Sequence, residues 1–335
     1  MRVAIYGAGS LGIVMGAYLS RAGIQAELIN RNEAQVQALR EKGACVTGEA
    51  SFCAPVKALL PHEMEGEYQL ILLMTKQQDN PQVVRFLEPH LAQDGVLCTL
   101  QNGLPEPGIA EILGEDRVLG CAVEWGATLE APGTSRLTSS PDSLSFSLGA
   151  LSPAGRQKIP AVKALMEKMC PVRVEEDFLG VRWAKLLINA SFSGMSAVLG
   201  CTFGKAAADK RSRVYVQRII KECIDVAHAR GVAIAPVQEK DIVKLLDYKG
   251  PVKKALSSFI IPIAIKKHRL LKASMLQDLE KGKLTEVDAI NGVVSAQGRA
   301  AGVPTPVNDR VAEIIHRIER GEARPGFDNL ALMVD

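Results

Sequence analysis

The sequence lacks several features that would fix its class at once. Its charge shows no strong bias, with Lys+Arg 40 against Asp+Glu 37 and a formal net charge of +3. Such a balance gives no broad field for nucleic acid or an anionic membrane, so a phosphate-bearing ligand would need a local basic site. Long apolar runs are missing too. The longest later stretch, Phe259-Ile260-Ile261-Pro262-Ile263-Ala264-Ile265, is far short of the roughly 20 residues that span a bilayer. The first apolar run meets a glycine-rich turn at once, which reads as a strand rather than a secretory leader. The 7 cysteines (Cys45, Cys53, Cys98, Cys121, Cys170, Cys201, Cys223) are odd in number and never spaced CxxC. The expectation is buried free thiols in a reducing compartment, no metal site, and a cytoplasmic protein. Repeats and low-complexity tracts are absent.

What is present suits a two-domain chain. Its 335 residues, 47% hydrophobic and 23% charged, can bury sizeable cores. In the first half, short apolar runs alternate with helical periodicity. Val3-Ala4-Ile5-Tyr6 reads as a buried strand and 11–22 as a helix ended by Gly23. Residues 26–29 read as a second strand and 33–42 as a second helix stopped by Gly43. Leu70-Ile71-Leu72-Leu73-Met74 is nearly pure hydrophobic, as a strand covered on both faces of a parallel sheet should be, and 96–100 and 118–123 look similar. Residues 136–138 and 144–148 suggest strands joined by the turn-forming Ser140-Pro141-Asp142. Beyond about Val174, helical patterns over 178–199, 213–230, 239–246 and 308–320 replace strand signals. The expected fold is α/β, with an N-terminal Rossmann-type doubly wound sheet over 1–175 and an all-helical C-terminal domain over 176–335. The basic stretch 249–272 reads either as a binding arm or as a solvated helix face or loop.

Gly7-Ala8-Gly9-Ser10-Leu11-Gly12 lies between the first strand and the first helix. The first glycine permits a tight turn, the second lets backbone approach a pyrophosphate, and the third lets helix pack on strand. The helix N-terminus adds N–H donors and a positive dipole end, so Ser10 and Leu11 join the cofactor-binding set. Gly16, one turn on, keeps helix and sheet close. At the end of the second strand, where an NAD-selective site usually has an acid, stands Asn30, followed by Arg31. An acid would repel a 2′-phosphate and Arg attracts it, so NADP is the expected cofactor; the alternative is that Arg31 is only a surface residue.

Lys76 and Asn102 follow apolar strands and so fall at carboxyl ends, where ligands bind in this fold class, although Asn102-Gly103 also suits a plain turn. In the 178–199 helix, Lys185, Asn189 and Ser193 recur every fourth residue among Leu186, Leu187, Ile188 and Phe192. A polar row on an apolar helix needs polar partners or a ligand, unless the lysine merely snorkels at a rim. Reduction of a carbonyl needs a proton donor for the alkoxide that forms, and a partly desolvated ammonium serves. Ser274 and Asp278 are one helical turn apart, and Thr285 to Asp288 could open a further helix, with Glu286 either a dipole partner or a catalytic part.

Together these motifs resemble the ketopantoate reductase (2-dehydropantoate 2-reductase) family over essentially the whole chain. The matching segments are GAGSLG at 7–12, Thr75-Lys76, Gln101-Asn102-Gly103, Trp183-Ala184-Lys185 with Asn189, Ser274-Met275-Leu276-Gln277-Asp278, and Thr285-Glu286-Val287-Asp288 with Asn291-Gly292. The resemblance implies an NADPH-dependent oxidoreductase that reduces a 2-keto acid to a 2-hydroxy acid, ketopantoate to pantoate on the way to pantothenate and coenzyme A. By it, Lys185 is the general acid, Glu286 supports the cofactor or the lysine, and Asn102 and Lys76 line the nicotinamide side. Asn189 and Ser274 hold substrate oxygens, Ser193 belongs to the same substrate shell, and Asp278 orders the site. Two positions depart from the family pattern: Ser193 stands where a second Asn is common, and Phe203 where another substrate-facing Asn is expected. Fewer amide donors and an added aromatic suggest a less polar or differently shaped acid. The alternatives are a related reductase for another keto acid and a non-catalytic NADP-binding sensor. The five histidines fall in surface or linker contexts, which leaves no His–Glu pair for a 3-hydroxyacid dehydrogenase. Helical domains of this kind often carry contact surfaces, which allows a homodimer.

Overall fold

A computed structural model describes residues 1–237 and 240–333. Among them are two compact units: Met1–Gln101 with Pro105–Phe178, and Asn102–Leu104 with the chain from Leu179 onward.

The first unit begins as its glycine turn and apolar runs require. Strand β1 (Val3–Tyr6) leads into helix α1 (Ser10–Arg21), then β2 (Ala26–Ile29) and α2 (Glu33–Lys42). Asn32 caps α2 by accepting the Gln35 N–H at 3.2 Å, a contact that satisfies one of the helix's orphan donors. There follow β3 (Ala44–Gly48), β4 (Phe52–Ala54), β5 (Lys57–Leu59), β6 (Tyr68–Leu73), α3 (Asn80–Leu87), β7 (Leu91–Thr99), α4 (Glu106–Leu113) and β8 (Val118–Val123). The unit closes with β9 (Ala127–Ala131), β10 (Thr134–Leu137), β11 (Phe146–Ala150), α5 (Pro153–Arg156), α6 (Ile159–Met166) and β12 (Val172–Val174).

The main sheet runs β12-β11-β8-β7-β6-β1-β2-β5. β1 lies between β2 and β6, parallel to both, so strand order reverses there and a ligand crevice opens at the carboxyl ends. Apolar side chains fill both faces: Ile5, Leu28, Leu70 and Leu72 on one, Ala4, Ile29, Ile71 and Leu73 on the other. That two-sided burial explains the unbroken apolar runs.

Three features were not foreseen. β11 runs antiparallel to β8. A second sheet, β4-β3-β10-β9, also forms. The Ser140-Pro141-Asp142 stretch therefore carries the chain from β10 in one sheet to β11 in the other, since a local turn signal does not specify a strand's partner. Finally, Cys45 faces Cys53 across the antiparallel β3–β4 pair, with Cα atoms 4.1 Å apart, and the two are disulfide-bonded. The expectation of free thiols throughout is corrected: their spacing concealed a hairpin that puts the two side chains together. Cys98, Cys121, Cys170, Cys201 and Cys223 are buried and not disulfide-bonded.

The second unit is helical: α7 (Phe178–Ile188), α8 (Gly194–Leu199), α9 (Phe203–Ala208), α10 (Lys210–Ala229), α11 (Ile242–Leu246), α12 (Pro251–Ala264), α13 (Ser274–Glu280), α14 (Val293–Ala301) and α15 (Pro306–Glu319). The residue expected to open the 239–246 helix, Glu239, lies outside the described residues. α10 is the central helix, burying Val216, Ile219, Ile220, Cys223, Ile224 and Val226. The expected continuous helix over 178–199 is interrupted: α7 and α8 are joined by a π-turn, Asn189–Ser193, and a second π-turn, Asp288–Gly292, precedes α14. The basic stretch 249–272 is mainly helical, as α12. Among the described residues no helix is long and apolar enough to cross a membrane.

Candidate active site

At the glycine turn, the N–H groups of Gly7 and Ala8 both donate to the Ile29 carbonyl at 3.0 Å. Gly7 has φ +110°, and a Cβ there would lie 2.6 Å from backbone atoms of Met74 and Thr75; a Cβ on Gly12 would lie 2.5 Å from the Gly7 oxygen. Above Gly9 the space is open, its nearest atom 4.0 Å away. Gly9 caps α1 without a side-chain bond, and the first intrahelical bond runs from Ile13 N–H to Gly9 at 3.0 Å. The N–H groups of Ser10, Leu11 and Gly12 thus face an open cradle with no helical acceptor, suited to a pyrophosphate.

Asn30 braces this loop by donating to the Ala8 carbonyl at 2.9 Å and accepting the Asn32 N–H at 2.9 Å. Gln35 donates to the same carbonyl at 2.9 Å and accepts from Gly133 N–H at 3.2 Å. Sequence reading missed Gln35; the available signal was a polar side chain on the buried face of α2, beside Val36. Arg31 is 86% exposed and pairs with Asp79 at 3.3 Å. Gly16 packs closely, since a Cβ would meet Leu28 at 2.7 Å.

Lys76 is half-buried in the loop after β6. Beside it an amide cluster ties the ends of β6 and β7 together, a second feature not anticipated. Gln101 donates to Thr75 O at 2.9 Å and to Asn80 Oδ1 at 2.7 Å, and accepts from Asn80 Nδ2 and Thr99 Oγ1, each at 3.0 Å.

In the second unit, α7 is half-buried along Val181, Lys185 and Ile188, and the adjoining Asn189 continues that face. Trp183, Ala184, Leu186 and Leu187 are buried around it, so the lysine stands at the edge of an apolar surface. Ser193, next in the predicted row, is the last residue of the π-turn. The π-turn adds a residue, rotating the chain beyond it by about 100°, and Ser193 is buried. Phe203, expected in the substrate shell, lies in the core, stacked on Phe192 with centroids 5.8 Å apart.

Asn102 donates to Glu286 Oε2 at 3.4 Å, which brings together residues far apart in sequence. The turn bearing Glu286 is tied down on both sides. Thr285 donates its N–H and hydroxyl to Glu319 Oε1, at 2.7 and 2.8 Å. His316 bridges Glu319 at 2.9 Å and Asp288 at 3.0 Å, so it is no simple surface histidine, as the sequence had suggested. Burial disfavours its charged form, but hydrogen bonds and attraction from Glu319 and Asp288 prevail and raise its pKa. Ser274 and Asp278 sit one turn apart on α13, exposed and half-buried respectively. Among the described residues no group of three or more His, Cys, Asp or Glu could hold a metal ion.

Comparison with known proteins matches these parts. The family model "Ketopantoate reductase PanE/ApbA" matches residues 3–150, and "Ketopantoate reductase PanE/ApbA C terminal" matches 177–319. A 2-dehydropantoate 2-reductase of Streptococcus pyogenes serotype M3 is 27% identical over 322 residues, covering 95% of this chain and 98% of that protein. D-mandelate dehydrogenase, solved with NADH and anilino(oxo)acetate, superposes with TM-score 0.81 at 25% identity, covering 96% of this chain and 99% of that one. A 2-dehydropantoate 2-reductase from Geobacter metallireducens GS-15 gives TM-score 0.80 at 26% identity, with 95% and 99% coverage. The chain therefore belongs to the ketopantoate reductase family and is an oxidoreductase of the keto-acid-reducing type.

Proposed function

We propose that the protein reduces a 2-keto acid, ketopantoate first among candidates, to the 2-hydroxy acid with NADPH. The observation that carries this reading is half-buried Lys185 on α7, with Asn189 of the adjoining π-turn continuing the same half-buried face. A bound reduced nicotinamide supplies the hydride. The N–H groups of Ser10, Leu11 and Gly12 hold the pyrophosphate, with Gly7 and Gly9 giving it room, and Lys76 and Asn102 contact the nicotinamide side. Lys185 Nζ gives its proton to the alkoxide oxygen as the carbonyl carbon gains the hydride, so ketone becomes hydroxyl. The neutral amine regains its proton from solvent. Asn189, Ser193 and Ser274 hold substrate oxygens, Asp278 orders Ser274, and Glu286 supports the lysine or the cofactor through its contact with Asn102. The test is kcat/KM over a panel of 2-keto acids. Preference for ketopantoate supports the reading; preference for an aryl keto acid, such as the acid corresponding to mandelate, keeps the chemistry and moves the substrate.

NADP preference rests on Arg31, with a counterweight in Asp79. An exposed ion pair of this kind is worth about 1 kcal/mol or less, so a 2′-phosphate outcompetes it. Arg31→Ala should lower kcat/KM for NADPH by about 10- to 100-fold, the worth of a hydrogen bond to a charged group, and leave NADH nearly unchanged. Asp79→Asn should raise the NADPH/NADH ratio. Equal losses with both nucleotides in Arg31→Ala would remove the assignment.

The homodimer reading gains support from α12, whose Val252, Leu256, Phe259 and Ile263 are exposed on one face, Val252 at 82% and Phe259 at 68%. An apolar stripe on a single helix suits the self-complementary contact of a twofold dimer. Light scattering should give twice the chain mass and Phe259→Lys the single mass; a monomeric wild type rejects it.

A further inference from the structure

Neither π-turn is accounted for by the chemistry above, yet the two are linked by a buried relay. A π-turn leaves a helix with a carbonyl outside its regular ladder, and such turns collect at functional sites. In the first of them, Ala190 O accepts from Asn291 Nδ2 at 3.1 Å, and Asn291 belongs to the second. The same Nδ2 donates to Asn308 Oδ1 at 2.9 Å. Asn308 Nδ2 in turn donates to Glu222 Oε2 at 2.7 Å. Glu222 also accepts the N–H groups of Val307 and Asn308 at the start of α15, each at 3.0 Å. All three side chains are buried.

The orientation of each amide follows from the next. Glu222 accepts three N–H bonds, which commits Asn308 Nδ2 to it and leaves Asn308 Oδ1 as an acceptor. That acceptor and Ala190 O together require the NH2 end of Asn291. Asn291 Oδ1 is then buried, with no hydrogen-bond partner among the described residues. Opposite it stands Gly194, where a Cβ would come within 2.8 Å of Oδ1. The glycine at 194 thus leaves room for this amide against Ala190.

We propose that Asn291 is a positioning residue for substrate selection. By holding the Ala190 carbonyl out of the regular ladder it maintains the π-turn over Asn189–Ser193. That turn sets the direction of Asn189 and Ser193 relative to Lys185 on the preceding helix. The proposal rests on the functional reading above for the roles of those three residues, but the relay itself does not.

Two variants act on the relay from opposite sides. Asn291→Ala removes the donor, and Gly194→Ala removes no hydrogen-bonding group but pushes on the amide. Each should shift the ratio of kcat/KM between two keto acids of different bulk, ketopantoate and pyruvate, by about tenfold, as small misplacements of binding groups do. Cofactor Kd should stay unchanged. The ratio is the informative readout, because partial unfolding lowers both values equally. A crystal structure of either variant should show Asn189–Ser193 relaxed towards a regular helix. An unchanged π-turn overturns the proposal, and so does a relaxed turn with the wild-type ratio. If the wild type turns over no keto acid, the functional reading fails, while the relaxed or unchanged turn still decides what the relay holds.

Discussion

Lys185→Ala is expected to lower turnover by about 10²–10⁴-fold, the usual contribution of a positioned general acid. The reduced nucleotide should bind with nearly wild-type affinity, because the proposed phosphate site is the turn before α1 and not α7. Burst or steady-state kinetics with a keto acid, paired with a nucleotide titration, separate the two effects. In physical terms, hydride arrival places negative charge on the substrate oxygen. Without a donor at hand the alkoxide must wait for water, so the transition state loses a stabilising partner while the ground state loses little. Loss of nucleotide binding in a folded Lys185→Ala protein would contradict the role, as would unchanged turnover.

Gly7→Ala should have the second large effect, on nucleotide binding and stability together. Gly7 has φ +110°, and a Cβ there would press to 2.6 Å on Met74 and Thr75 backbone. The strained conformation alone costs about 1–3 kcal/mol, and the clash involves backbone that cannot swing aside. The turn should open, moving the α1 N-terminus away from the proposed phosphate position. Gly23→Ala is the matched control, with φ +81° and nothing within 4 Å of its Cβ. It should lose about 1–2 kcal/mol from its left-handed backbone and bind nucleotide normally. Denaturant unfolding and nucleotide titration compare the two; equal binding in both variants would show that the close approach at Gly7 does not shape the cradle.

How much of this was legible in the sequence depended on the range of the interaction. The glycine turn, the helix ends at Gly23 and Gly43 and the apolar strands were readable because each is set by neighbours a few residues away. Pairing was not. Cys45 and Cys53 gave no motif, and only the β3–β4 register brings them together. The β10 and β11 patterns were sound, but nothing local assigned them to different sheets. In the candidate site, Lys185 and Asn189 were visible as a polar interruption of an apolar helix. The break at Asn189–Ser193 was not, because it is sustained by an amide about 100 residues on, at Asn291. Ser193 and Phe203 show the consequence. Spacing alone places both in the substrate shell; the π-turn instead sets how buried Ser193 is presented beside Asn189, and Phe203 packs in the core. A less polar substrate therefore cannot be argued from Phe203. Gln35, Asn80 and Asn308 were missed for the same reason: each is an ordinary polar residue until the fold supplies its partner.

The most direct measurement is the loss of reduced-nicotinamide absorbance when the purified protein is mixed with NADPH and ketopantoate, repeated with NADH and with other 2-keto acids. Turnover of at least one 2-keto acid, faster with NADPH than with NADH and abolished in Lys185→Ala, is the predicted result. No oxidation of either nucleotide across the panel, by a folded protein that binds NADPH, would contradict the assignment as a reductase and favour a nucleotide-binding role without catalysis.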